Sequence, residues 1–201
     1  MRSRCGAVLV ASLCVAVVQA CTTNTGGSPS PESATDSPGA TTEAPLSTLP
    51  PRPRELRLDG IDPCSLWSAQ AISELALDPE PVGGGPQVRA TGERFCAHSA
   101  AGEAPPRVGF HLALVPTKDA TQAFGGDGAQ LVDVAGYPAY QEMDDGVRPC
   151  TLAISTAGGQ YLEMRLDYGS SSGSGWLPVE QACQLTIKAA TFAVQTLQTQ
   201  R

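Results

Sequence analysis

The stretch that decides the fold class is residues 179–197, VEQACQLTIKAATFAVQTL. Apolar side chains recur in it at spacings of three and four, at Val179, Cys183, Ile187, Ala190, Val194 and Leu197. This spacing places them on one face of a helix, and Pro178 stands where a first-turn proline is tolerated. A long helix with one apolar face has to cover another layer. We therefore expect a sheet beneath it.

The sheet is predicted from the segments that precede this helix. Residues 108–115, VGFHLALV, alternate apolar and small or polar side chains, as in a strand with one buried face. Further strands are predicted at residues 94–99, 130–134, 138–142, 151–155 and 161–168. Short glycine-containing links between strands, such as the Gly136 turn, favour antiparallel pairing.

Two shorter helices complete the expected fold. Ser68 is predicted to cap a helix over residues 69–76, and Thr117 to cap a short helix that ends near residue 124. The order is helix, two strands, short helix, about four strands, long helix. We therefore expect an α+β fold in which the N- and C-terminal helices pack on one antiparallel sheet.

The first residues are typical of an export signal. Arg2 and Arg4 precede an apolar run over residues 5–18. The run is shorter than the roughly 20 residues that span a bilayer. It ends in VQAC at residues 18–21, which resembles the lipobox of bacterial prolipoproteins. The resemblance implies cleavage after Ala20 and a diacylglycerol on Cys21; the alternative is an ordinary cleaved signal, with Cys21 incidental.

Composition then divides the chain into three parts. Residues 1–20 are the predicted signal peptide, and residues 21–55 are a Ser-, Thr- and Pro-rich segment that we expect to be a disordered tether. Residues 56–201 are the predicted globular domain. The expected location is the extracytoplasmic face of the cell membrane, with the membrane as a partner through the lipid anchor. The formal net charge of −7 argues against a nucleic-acid partner.

Four cysteines remain once the signal and Cys21 are set aside: Cys64, Cys96, Cys150 and Cys183. An even number in an exported domain predicts two disulfides. Zinc sites use closely spaced cysteine pairs, which these are not. Three pairings are open to the sequence, and we favour Cys64–Cys96 with Cys150–Cys183.

Four features in order resemble one known family. They are DPCSLW at residues 62–67, Cys96 in a strand, VAGYPA at residues 134–139 and Cys183 at the start of the last helix. Together they resemble a domain of unknown function in small actinobacterial lipoproteins, including the Lpr-type lipoproteins of the mycobacterial envelope. The resemblance covers residues 58–197, although Trp67 stands where leucine is usual. It implies the same fold and no assigned activity.

The sequence supports no catalytic, metal or cofactor site. Residues 169–173, GSSSG, match the nucleophile-elbow pattern around Ser171, but that pattern needs a helix straight after it. The glycine- and proline-containing residues 174–178 favour a loop instead. His98 and His111 could approach each other if their strands pair, yet nothing fixes a third metal ligand. We therefore predict no enzyme, no metal and no cofactor.

The binding candidates are aromatic. Trp67 and Trp176 stand beside predicted helix starts, and Tyr137 and Tyr140 flank a turn that could form an exposed recognition edge; core packing is the alternative for the tryptophans. The expected function is a non-enzymatic binding module that holds a small apolar ligand or an envelope protein between sheet and helices. The alternatives are an envelope hydrolase, using Ser171 or a His–carboxylate pair, and a structural or assembly accessory.

Overall fold

A computed structural model describes residues 48–101, 107–126, 128–144, 146, 148–168 and 177–201. The predicted signal peptide, Cys21 and most of the predicted tether lie outside these residues. So do Trp176 and the loop around Ser171. Within the described part of the chain, no helix has the length and apolar character needed to cross a membrane.

The described residues form one antiparallel sheet of seven strands. In chain order these are β1 (Gln87–Val88), β2 (Arg94–Ser99), β3 (Val108–Val115), β4 (Gln130–Val134), β5 (Tyr137–Met143), β6 (Cys150–Ala157) and β7 (Gln160–Tyr168). Their order across the sheet is β1-β2-β3-β7-β6-β5-β4. Strand β7 therefore lies at the centre, beside β3 on one side and β6 on the other.

The described helices are α1 (Ala69–Glu74), α2 (Ala120–Phe124) and α3 (Val179–Gln200), with short 3-10 turns at Pro63–Leu66 and Val82–Gly84. The antiparallel sheet and the long C-terminal helix confirm the α+β prediction. The predicted N-cap of α1 is also confirmed, because the Ser68 hydroxyl accepts from the Ala71 amide at 3.1 Å. The predicted cap of α2 is wrong: the carboxylate of Asp119, not Thr117, accepts from the Thr121 amide at 2.8 Å.

The sheet carries α3 on one face, where it contacts β6 and β7. The buried positions of α3 are mostly small, at Ala182, Ala189, Ala190 and Ala193. Small side chains let the helix approach the strands closely, and larger residues such as Leu152 fill the space from the sheet side. The much shorter α1 contacts α3. The space between sheet and helices is thus a packed apolar core.

Two disulfides join the helical segments to the sheet. Cys64–Cys96 links the 3-10 turn before α1 to β2. Cys150–Cys183 links the start of β6 to the second turn of α3. This is the pairing favoured from the sequence. Each bridge also holds the two ends of its loop together in the unfolded chain, so less conformational entropy is lost on folding.

The residues just before the domain also contact it. The Arg54 guanidinium donates to the carbonyl oxygen of Gln198 at 2.7 Å, near the end of α3. The Glu55 carboxylate accepts from the Gly158 amide at 2.8 Å, in the turn between β6 and β7. Residues 48–55, assigned from composition to the end of the tether, are therefore attached to the folded part in the structure.

Candidate functional site

The sheet surface opposite α3 is only partly covered. At one end α2 and Leu49 pack on it in a second apolar cluster that includes Val115, Tyr140 and Tyr161. The remainder carries polar side chains, and we call it the polar face. Its members are His111, Glu142, Thr151, Glu163, Arg165 and Asp167.

Strand register aligns four of these residues in one row. Arg165 on β7 pairs with His111 on β3 at one side and with Thr151 on β6 at the other. Thr151 in turn pairs with Glu142 on β5. Cross-strand partners lie on the same face about 5 Å apart, so the row runs across four strands.

The neighbouring row is more deeply buried. There Glu163 on β7 stands between Ala113 on β3 and Ala153 on β6. Both alanines are fully buried, and Ala153 belongs to the second apolar cluster, so the face is open mainly along the row of Glu142, Thr151 and Arg165. The resulting open depression, which we call the polar cleft, has a volume of about 730 Å³. It is lined by Arg89, Phe124, Gly128, Glu142, Met143, Asp144, Arg148, Thr151, Glu163 and Arg165.

One wall of the polar cleft is an ion pair between Arg89 and Glu163. The two terminal nitrogens of Arg89 donate to the two carboxylate oxygens of Glu163 at 2.6 and 3.2 Å. The side chains are only 24% and 9% exposed, and the hydrogen bonds to Glu163 raise the pKa of Arg89. Burial, with Glu163 nearby, raises the pKa of Tyr161 to about 12. Both arginine and tyrosine therefore hold their protons at neutral pH.

A second fixed group consists of His111, Asp167 and Arg165. The Asp167 carboxylate accepts two hydrogen bonds from Arg165, at 2.9 and 3.0 Å. Its Oδ2 lies 3.1 Å from Nε2 of His111, and the imidazole stacks on Phe95 with ring centroids 5.6 Å apart. Burial lowers the pKa of His111, while the Asp167 charge opposes that shift. The imidazole is thus oriented and neutral at neutral pH.

Three other polar groups of the cleft are not held in this way. Glu142 and the Thr151 hydroxyl make no side-chain hydrogen bond to any residue that the structure describes. Arg148 is largely exposed, and its Nε lies 3.7 Å from Asp167. Burial, and then the like charge of Glu163, raise the pKa of Glu142. These are the groups free to meet a ligand.

Comparison with known proteins adds a family but no activity. The family model described as "Protein of unknown function (DUF3558)" matches residues 16–196. The chain belongs to the DUF3558 family. No curated protein and no solved structure matches the chain. Membership agrees with the domain of unknown function that the motifs indicated; the assignment to Lpr-type actinobacterial lipoproteins stays a prediction.

In this DUF3558 domain the predicted aromatic binding residues do not form one site. Tyr137 and Tyr140 are fully buried, so the expected exposed edge is wrong. Strand alternation sends Tyr137 into the α3 core and Tyr140 into the apolar cluster under α2. Trp67 packs against His98 and Phe110, with ring centroids 5.2 and 6.1 Å apart.

Trp67 also borders an apolar groove of about 600 Å³ beside α1, with Ile72, Leu77 and Pro79 among its lining residues. The two histidines lie on opposite faces of the DUF3558 sheet, although β2 and β3 do pair. The register places His111 opposite Ala97 and His98 opposite Phe110, and Nδ1 of His98 donates to the Asp78 carbonyl oxygen at 2.9 Å. The two histidine side chains therefore do not face each other across these strands.

Sequence reasoning missed the polar cleft of the DUF3558 domain, although one signal was available. Glu163, Arg165 and Asp167 occupy every second position of the strand YLEMRLDY, residues 161–168. A strand with charged residues at successive outward positions predicts an open polar face. The contribution of Arg89 had no local signal, since it meets Glu163 from 74 residues away.

Proposed function

We propose that this chain is a non-enzymatic binding module of the cell envelope, anchored through a lipid on Cys21, and that the polar cleft is its ligand site. The observation that carries the proposal is the set of partly buried, oriented charges around an open depression. Ligand sites characteristically combine a concave surface with a few fixed polar groups. The anchor rests on the sequence pattern at residues 18–21.

The cost of burying charges supports a binding role. Removing a carboxylate such as that of Glu163 from water costs several kcal/mol unless it is paired, and apolar packing in its place is often equally stable. A sheet face with no ligand to bind could be covered by an apolar helix, as α3 covers the other face. The charges of the polar face therefore need a reason other than stability.

The chemistry of the site favours a polar ligand over the small apolar ligand expected from the sequence. The space between sheet and α3 is filled by the core, whereas the cleft on the other face presents three arginines and three carboxylates. Such groups orient ionic and hydrogen-bonding ligands. The groove beside Trp67 is the site that an apolar ligand would use.

The enzyme alternative also has one observation in its favour. His111 and Asp167 form a His–carboxylate pair, the arrangement that orients a general base. Among the described residues, no hydroxyl or thiol donates to His111. We therefore place the hydrolase second. Covalent labelling of Ser171 by a fluorophosphonate probe, lost in Ser171→Ala, would put it first.

The proposal is tested by native mass spectrometry of the full chain purified from its own envelope. We expect a small bound molecule that is lost in Glu142→Gln and kept in Trp67→Phe. Loss in the tryptophan variant alone would move the ligand to the apolar groove. The absence of any bound molecule or protein would favour the structural-accessory alternative and overturn the proposal.

A further inference from the structure

We propose that the ligand of the polar cleft carries a protonated amine, which binds between Glu142 and Glu163 with the Thr151 hydroxyl as a further acceptor. This inference rests on the proposed function and names the chemistry that its site recognises. It follows from which charges of the cleft are already compensated and which are not.

Most charges of the polar face are matched within the chain. Arg89 is bound by both oxygens of Glu163, and Arg165 by both oxygens of Asp167. Each carboxylate oxygen retains a lone pair after accepting one hydrogen bond, since a carboxylate has about four acceptor sites. Glu163 can therefore still accept from a ligand while Arg89 holds it in place.

Glu142 is a carboxylate of the cleft that, like Asp144, has no ion pair with a described cation. Its electrostatic surroundings are burial and the negative charge of Glu163, with no contribution from an arginine. The feature that would stabilise its ionised form is a positive charge placed between the two glutamates. Because Glu142 is exposed and makes no hydrogen bond to a described residue, its side chain is free to close on such a group.

The floor of the cleft at this point suits an ammonium group. Strand β6 lies between β5 and β7, so Thr151 and Ala153 separate the two glutamates. The backbones of β5 and β7 are about 10 Å apart, twice the strand spacing. Thr151 lines the cleft and offers a hydroxyl oxygen. An ammonium group has three donors, which matches two carboxylates and this hydroxyl.

A metal ion fits the same position less well. Calcium takes six to eight oxygen ligands, and two carboxylates with one hydroxyl fall short of that. Among the residues that the structure describes, no group of three His, Cys, Asp or Glu side chains could hold a metal ion. An organic amine needs only the three acceptors that the cleft provides.

The test uses the full chain, labelled with ¹⁵N, and two probes of equal length and opposite charge: hexylamine and hexanoate at pH 7. We expect hexylamine to shift the amide signals of Glu142, Thr151 and Glu163 saturably, and hexanoate to leave them unchanged. Glu142→Gln removes one charge from an exposed side chain and should raise the Kd for hexylamine at least tenfold. Thr151→Val should raise it about threefold.

The matched control is Glu80→Gln, which removes the same charge from an exposed carboxylate outside the cleft lining; it should leave the Kd within twofold. Equal or tighter binding of hexanoate, no shift of the cleft signals, or an unchanged Kd in Glu142→Gln would each overturn the amine assignment. A bound molecule seen by native mass spectrometry would preserve the proposed function in those cases, so the two failures are distinguishable.

Discussion

The ion pair between Arg89 and Glu163 predicts an asymmetric loss of stability when either partner is removed. Arg89→Met leaves the Glu163 carboxylate on the central strand β7, where its side chain is 9% exposed and no longer paired. Glu163→Gln instead leaves the guanidinium of Arg89, which is 24% exposed and belongs to the turn after β1. That side chain can turn towards water, whereas the strand residue cannot.

The magnitude follows from this difference in burial. Breaking a fully buried pair costs about 3–5 kcal/mol, mainly because one charge is left uncompensated. The pair at the cleft wall is partly open to water, so we expect about 2–3 kcal/mol for Arg89→Met. We expect only about 1 kcal/mol for Glu163→Gln, the usual loss of a hydrogen-bonded contact. Replacing both residues with apolar ones, as Arg89→Met with Glu163→Leu, should recover most of the loss.

The assay is urea unfolding followed by circular dichroism, with disulfides intact. The control is Arg57→Met, which makes the same substitution in a pair with Asp59 whose side chains are 64% and 57% exposed. Ion pairs this exposed contribute little to stability, so this variant should unfold close to wild type. The reasoning is refuted if Arg89→Met loses less than about 1 kcal/mol, or loses less than Glu163→Gln.

Three further predictions concern the anchor, the disulfides and His111. Cys21→Ser should move the chain from the membrane to the soluble fraction without changing its circular dichroism; continued membrane retention would contradict the lipid anchor. Replacing Cys150 and Cys183 with alanine should lower the free energy of unfolding by about 3–4 kcal/mol, because their bridge closes a loop of 33 residues, and an unchanged urea midpoint would contradict this estimate. Burial lowers the folded-state pKa of His111 below 6.5, so the unfolded chain binds its proton first as the pH falls. The stability that neutral His111 contributes is then present above pH 6.5 and is lost as the pH falls through its folded pKa. The free energy of unfolding of His111→Gln should therefore fall less than that of wild type between pH 7 and 5. Parallel pH profiles for the two proteins would contradict the lowered pKa of His111.

Local patterns were sufficient for most of the secondary structure. The strands at residues 94–99, 108–115 and 130–134 lie where the sequence predicted them. For residues 108–115 the signal was alternation, because a half-buried strand repeats every two residues. The turn at Gly136 and the start of α3 after Pro178 were also predicted from neighbouring residues alone. The two-residue strand β1 was missed because it is too short to show a period.

The sequence was a poorer guide to which face of the sheet each side chain occupies and whether that face is covered. The aromatic character of Tyr137 and Tyr140 suggested a recognition edge, but both faces of β5 are covered, one by the α3 core and the other by the cluster under α2. A strand that is covered on both faces tends to have apolar residues at successive positions instead of alternating ones. Which of its residues remain accessible depends on helices far away in the sequence.

The sequence by itself determined the fold class and an even set of cysteines for two bridges; the export address stays a prediction. These features follow from the spacing of apolar residues and from composition, which can be recognised within short stretches of sequence. Only the tertiary structure decided the polar cleft. Strand order places β7 between β3 and β6, and the register then aligns Glu142, Thr151 and Arg165 in one row. Arg89 completes the cleft from 74 residues before Glu163, because strand pairing and core packing of the whole domain determine which distant charges meet.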